Sequence, residues 1–538
     1  MGIMRWRPPE PLSEQEEQFV KRMGRKGKLF AFLRQHRHEL LDEAFQEELE
    51  GMYRDTGAGK TPVPPGLMAM ATLLQGYLGA SDATMVELTV FDLRVQMVLD
   101  CLGQTEPAFS QGAFYDFRHR LIREQMDQRL LEKTVEVARQ RMRWEARQTK
   151  SLLKVAIDSK PLEGAGRVED TLNLLGHAAR KVVMCVAKHL EIPMSLVCQE
   201  AGIPVLLESS VKKGLDVDWN EREQKARALQ KLYKQVESLK KWLKKNLPEH
   251  VTQAPLSEHL KTLEQVSRQN LEPDPNGGGV RIRWGVAEDR RVSIEDGQMR
   301  HGRKSQSKRF NGYKQHIATE LEGDLILACE VTPANRPEQE AAQALQKDIE
   351  RQGLQIAELY IDRGYINSPV VEEVQKKGGE VVCKAWGSQN GELFAKSAFH
   401  LNMSRRTVTC PAGQSQSFTL GHVVEFEAQK CASCPLREKC TSAASGRGRT
   451  VSIAENEPLQ HRLRKLTKSP AGRARLRQRV SVEHRLAHLS RRQGHRARYR
   501  GIRKNVFDLR RAAALQNIES WQRHSAPAQQ HGEPMTGS

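Results

Sequence analysis

The chain of 538 residues carries 85 Lys and Arg against 66 Asp and Glu, a net charge of +19, with a mean hydropathy of −0.62. That length predicts about three or four domains with room for a buried core. That mean hydropathy excludes a multi-span membrane protein, and with no apolar run of about 18 residues a single spanning helix is not expected.

The stretch Met1–Met23 has no apolar segment and predicts no secretory leader, and Trp6 stands where a myristoylation signal needs Ser or Thr. The expected location is the cytoplasm, with no membrane partner. The charge is concentrated: His461 to Arg511 holds 18 Lys and Arg and 2 Asp and Glu, a local net of +16. Such a field suits a polyanion, because neutralising phosphates releases condensed counterions. The alternative is a disordered basic tail, against which apolar residues recur at Val480, Leu486, Leu489, Val506, Leu509 and Ala513.

Residues 1–145 read as a helical domain. Phe19, Leu29, Phe30, Phe32 and Leu33, then Leu40, Leu41, Phe45 and Leu49, recur mostly at spacings of three and four. Pro65 predicts the first turn of a helix through Leu67, Met70, Leu73, Leu74 and Tyr77. Further helices are expected after Ser81-Asp82 and after Ser110, the last ending near Arg120-Leu121. Several short helices in a row are compatible with a DNA-binding module. Gly57-Ala58-Gly59-Lys60-Thr61 imitates the end of a phosphate-binding loop, but Arg54 stands where that loop needs glycine, so the resemblance is rejected.

From 151 the grammar changes. Leu152 to Asp158 is a strand-like apolar run ending in a carboxylate. Trp219 to Leu247 predicts a long charged helix with Ala226, Leu229, Leu232, Tyr233, Val236, Leu239 and Leu243 on one stripe. It is expected to pair antiparallel with 256–271, as a helical insertion at about 216–272. After the breaker Pro273–Gly279, strands are predicted at Phe310–Leu321 and Asp324–Thr332, joined at Glu322-Gly323. A helix over Pro337–Gln352, a strand over Ala357–Asp362, a helix over Val370–Lys377 and a strand over Glu380–Ala385 follow. The order predicts an α/β core, a mixed sheet flanked by helices, over 151–400. A Cys-rich insert is expected at 405–445, a basic helical end of the core at 455–521, and a disordered tail at 522–538.

Asp158 and Asp362 each end an apolar strand. An Asp there is ordinarily a turn or helix-cap residue. If the two strands are neighbours, however, the carboxylates converge as the hard oxygen ligands that Mg²⁺ prefers, and two such ions can drive phosphodiester displacement. Glu483, one of the two acids in the basic segment, lies four residues after Arg479 on one helical face. It reads either as an ordinary ion pair or as a third metal ligand.

These residues carry a family resemblance. Val155-Ala156-Ile157-Asp158-Ser159, Tyr360-Ile361-Asp362-Arg363-Gly364-Tyr365 and Arg479-x-x-x-Glu483 resemble the three boxes of bacterial insertion-sequence transposases with a DDE triad on an RNase H-like core. Asn311–His316 and Val331–Asn335 are similar to the same enzymes. The resemblance covers most of 40–520. It departs at Leu476, where the family signature has Tyr, and at Ser490, where it has Lys, with Arg491 and Arg492 just beyond. It implies a DNA transposase that cleaves element ends and joins them to target DNA. Asp158, Asp362 and Glu483 would be catalytic and hold two Mg²⁺ (or Mn²⁺) ions. Arg479, Arg491, Lys308 and Lys314 would contact double-stranded DNA, with two ends synapsed by a homodimer. The Lys308 segment, Gly302–Phe310, reads equally as a solvated turn. A non-catalytic, decayed DNA-binding protein is the alternative.

Cys410, Cys431, Cys434 and Cys440 form C-x20-C-x2-C-x5-C. Four thiolates match a closed tetrahedral Zn²⁺ site, away from the catalytic ions. Unligated thiols and an iron–sulfur cluster are the other readings. Cys101, Cys185, Cys198, Cys329 and Cys383 read as core residues.

Overall fold

The computed structural model describes residues 5–53, 61–142, 152–275, 277–305, 307–387 and 389–525. Gly57–Lys60 and the tail beyond 525 lie outside the described residues. The N-terminal region is helical throughout, from Glu14–Arg22 to Met126–Arg141. Its helices begin where short polar side chains can bind free backbone N–H groups: Ser13 (a full capping box with Glu16), Asp42, Ser81, Asp92 and Ser110 each cap one. Pro65 opens Pro65–Leu78, where no N–H is required of it.

The central sheet is mixed. Leu152–Glu163 pairs antiparallel with Arg309–Glu320 on one side and parallel with Gln355–Tyr360 on the other, and Glu380–Val382 extends that parallel edge. Leu325–Pro333 and Arg300–Arg303 share the outer edge of Arg309–Glu320. The hairpin, both helices (Gln339–Arg351 and Pro369–Lys376) and both later strands therefore occur in the expected order.

The helical region and the sheet share one apolar cluster, from Trp6 to Trp521. The last helix, Ile502–Ser525, is the reason. Its Val506, Leu509, Ala513, Leu515 and Ile518 are buried as it crosses Met126–Arg141, Pro65–Leu78 and the Leu325–Pro333 strand. Near its end the Trp521 ring meets Phe32 edge-on at 4.7 Å.

The helical insertion has its own core, running from Leu172 to Ile294. Its central element is Thr171–Leu190, which sequence periodicity missed and which buries Leu174, Leu175, Ala178, Val182, Val183 and Val186. Arg222–Asn246 buries the expected stripe at Leu229, Leu232, Val236, Leu239 and Leu243. The expected pairing is corrected, because Leu256–Asn270 packs along Thr171–Leu190 instead. A helix apolar on so much of its surface offers the wider face. Among the described residues no single helix is long and apolar enough to cross a membrane.

A small unit with a separate cluster (Phe399, Leu401, Val408, Phe418, Val424, Phe426, Val451 and Ile453) follows the last sheet strand. The basic end then forms Glu457–Lys468, Pro470–Gln478 and Val480–Gln493 before the buried last helix.

Candidate active site

Strand register brings the two aspartates level. In the parallel pair Ala156 stands opposite Tyr360, which puts Asp158 level with Asp362 just past the end of its strand. The expectation that Asp158 also ends its strand is corrected, because Leu152–Glu163 continues beyond it, paired with Arg309–Glu320. The Ser159 N–H donates to Asp158 Oδ1 at 2.8 Å. Burial pushes the Asp158 carboxyl up to about 6. The Arg479 guanidinium opposes the rise, and the charges of Glu338 and Asp362 add to it. Asp362 is exposed and accepts from the Arg363 N–H at 2.7 Å at the start of the turn Arg363–Tyr365.

The Val480–Gln493 helix delivers Glu483 in its first turn, and Arg479 immediately precedes that helix. Arg479 Nη1 donates to Asp158 Oδ2 at 2.8 Å, and its Nη2 donates to Glu483 Oε1 at 2.7 Å. Burial works against this guanidinium, yet the carboxylates of Asp158, Asp362 and Glu483 hold it above its ordinary value. One cation thus bridges Asp158 and Glu483, with the charge of Asp362 acting on it as well. Asp362, Arg479 and Glu483 line a cleft of about 370 Å³ whose walls add Lys384, Arg473 and Arg477. Leu476 lines it too, so the family Tyr position presents an apolar wall.

The other residues expected at DNA lie elsewhere. Lys308 is exposed in the turn before Arg309–Glu320. Lys314 Nζ donates to the Arg336 carbonyl at 2.7 Å. Arg491 lines a different cleft of about 760 Å³ with Arg25, Lys28, Arg94, Arg485 and His488. At the family Lys position, Ser490 receives a lysine from another segment: buried Lys160, on the strand of Asp158, donates Nζ to Ser490 Oγ at 3.0 Å. Burial lowers that ammonium to about 7.

Among the described residues no three His, Cys, Asp or Glu side chains form a ready-made metal cage. The donor chemistry at the carboxylates still fits a hard divalent cation, because three oxygen acids already surround a positive group. Cys410, Cys431, Cys434 and Cys440 line one cavity of about 30 Å³, room for a single small ligand. Burial raises the Cys440 thiol, and the other three sulfurs act on it in the same direction. The thiol chemistry there fits a soft-tolerant ion such as Zn²⁺.

Sequence reasoning missed Glu338, whose Oε1 accepts from Ser159 Oγ at 2.6 Å. An acid beside a helix start carries no mark that distinguishes it from ordinary first-turn charge. It also missed the buried chain of His316, which meets Tyr365 Oη at 2.8 Å and Thr332 Oγ1 at 2.9 Å.

Residues 287–518 match the transposase DDE domain family, and residues 19–120 match the transposase domain (DUF772) family. No curated protein and no solved structure matches the chain. The first match includes Asp362 and Glu483 and begins after the helical insertion, so Asp158 joins them by strand pairing across it. With one transposase family matched by the helical region and another by the far side of the sheet and the basic helices, the chain belongs to the DDE transposases of insertion sequences.

Proposed function

We propose that this transposase cuts and joins DNA on an RNase H-like core, with Asp158, Asp362 and Glu483 as its catalytic carboxylates. The observation that carries the reading is the Arg479 fork, which holds Asp158 and Glu483 together although 325 positions separate them. Support for the core comes from the order of its five principal strands: third, second, first, fourth and fifth, with the second antiparallel. Two Mg²⁺ or Mn²⁺ ions held by the three carboxylates would supply activation of the attacking oxygen and stabilisation of the leaving one.

The chain's own residues do the remaining work. Asp158 and Asp362 would hold the ions where the two parallel strands meet, and Glu483 closes the site from its helix. Lys384, Arg473 and Arg477 on the cleft wall neutralise neighbouring phosphates. In the first step water oxygen bonds to phosphorus, the P–O3′ bond breaks and the 3′-hydroxyl leaves with a proton. In the second, that 3′-hydroxyl loses its proton as its oxygen bonds to a target phosphorus, and the target's own P–O3′ bond breaks, its 3′-oxygen leaving with a proton. Arg491, Lys308 and Lys314 serve as outer DNA contacts, the N-terminal helices read the element end, and two copies synapse two ends. The four cysteines would hold a structural Zn²⁺, which would staple the small unit.

Incubation of the full chain with labelled end-containing duplex and Mg²⁺ tests the triad. D158N, D362N and E483Q are each expected to abolish cleavage while end binding persists. Strand cleavage by any of the three at the wild-type rate removes that residue from the catalytic set.

A further inference from the structure

We propose that Glu338 is a positioning carboxylate of this site: it ties the strand that carries Asp158 to the turn that carries Asp362, in space that glycine at 364 leaves open. The inference rests on the triad reading above and adds a residue that the sequence did not single out.

Glu338 stands immediately before the Gln339–Arg351 helix, yet its side chain makes no bond to that helix's free N–H groups. It points the other way. Its Oε1 accepts the hydroxyl proton of Ser159, the residue after Asp158 whose N–H already holds Asp158 Oδ1. Its Oε2 lies against Gly364, two residues after Asp362, where a Cβ would stand only 2.5 Å away. Gly364 has no positive φ, so the backbone does not require glycine there, and the approach of the carboxylate does. One side chain from a third segment therefore touches the neighbours of both aspartates.

Electrostatics agrees with the geometry. The Glu338 charge acts on Asp158 and on the buried Tyr365 hydroxyl of the same turn, raising both. Asp158, Asp362 and Glu483 act on the guanidinium of Arg479, and Glu338 adds a fourth carboxylate beside Asp158, with Lys314 as its nearby base. That surplus of negative charge suits a site meant for two divalent cations.

The test is a double-mutant cycle on the full chain, read as single-turnover cleavage of labelled end duplex in Mg²⁺, with end binding measured in parallel. E338A is expected to cut at least about tenfold more slowly with binding unchanged, the scale of a sub-ångström loss of alignment. G364A, which pushes the same carboxylate aside without deleting it, is expected to match that loss. The double variant is expected to be no slower than the slower single, because the second change has nothing left to disturb. E338Q keeps an acceptor for the Ser159 hydroxyl and is expected to recover part of the rate. Wild-type cleavage by E338A, or losses that multiply in the double variant, overturns the proposal. If E338A also loses end binding, G364A decides: full cleavage by G364A overturns the proposal, and slowed cleavage with intact binding upholds it. D158N runs beside these. Cleavage by D158N would sink the triad, whereas a dead D158N with a fully active E338A sinks this inference alone.

Discussion

On the proposed triad, Arg479 sits among the carboxylates that would hold the ions, so its removal is expected to separate metal binding from cleavage. The guanidinium contacts Asp158, whose side chain is 15% exposed, and Glu483, whose side chain is 51% exposed. A unit charge about 4 Å from a carboxylate at an effective dielectric near 20 is worth about 4 kcal/mol. Water screens the Glu483 end, and part of the charge is recovered when the side chain swings aside, which leaves on the order of 1–2 kcal/mol. R479A is therefore expected to bind Mn²⁺ about tenfold more tightly in the absence of DNA, read by titration of the free-ion resonance signal. Its cleavage rate falls all the same, because Glu483 loses the fork that aims it at Asp158. R479K keeps a charge but as a single point donor, and is expected to lie between wild type and R479A on both measures. If R479A binds Mn²⁺ as weakly as wild type, or more weakly, the guanidinium organises the ligands instead of competing with the ion.

Three further outcomes follow from other parts of the molecule. Burial depresses His316 to about 3, so the imidazole is neutral in the fold and the unfolded chain takes up its proton first. Its contribution to stability is complete above about 6.5 and is lost as pH falls toward 3, at about 1.4 kcal/mol per pH unit. Urea midpoints at pH 7 and pH 5 should differ more for wild type than for H316N, and equal differences would contradict the assignment. The full chain should purify with one Zn²⁺ and lose it in C431S/C434S while D158-dependent cleavage is retained; an absence of zinc in wild type refutes the staple. Charge reversal at exposed Arg25 and Lys28, in the cleft with Arg491, should flatten the dependence of log binding constant on log salt by roughly 2. An unchanged slope would place DNA elsewhere.

Much of the core was legible because apolar runs and turn residues mark its hairpin and its later parallel strands. Glu322-Gly323 joins the hairpin as read, with Arg309–Glu320 and Leu325–Pro333 on either side. The convergence of Asp158 and Asp362 was conditional on adjacency that no local pattern states, and the parallel register supplies it. Thr171–Leu190 went unread although its apolar residues recur at helical spacing as regularly as those of the charged helix after it. Lys160 illustrates a different limit. The sequence shows a lysine missing at Ser490, and the fold places one beside that hydroxyl from a strand 330 positions earlier.

Charge was the least transferable of the sequence signals. The +16 segment looks like an open polycation when counted along the chain, yet at least eight of its 18 bases meet acids from outside it, and Arg511 pairs with Asp508 within it. Arg503 and Arg510 both reach buried Asp127, Arg475 spans Glu358 and Glu380, and Arg485 meets Asp324. A paired guanidinium releases no counterion when DNA arrives, so these arginines fasten the basic helices to the sheet and the N-terminal helices. The bases left to meet phosphates include exposed Arg477 on the wall of the Glu483 cleft and exposed Arg491 in the second cleft, neither of which forms an ion pair among the described residues. On the proposed reading, affinity for DNA is expected to rest on the unpaired bases around the acids, while about half of the segment's bases fasten its helices to the rest of the fold.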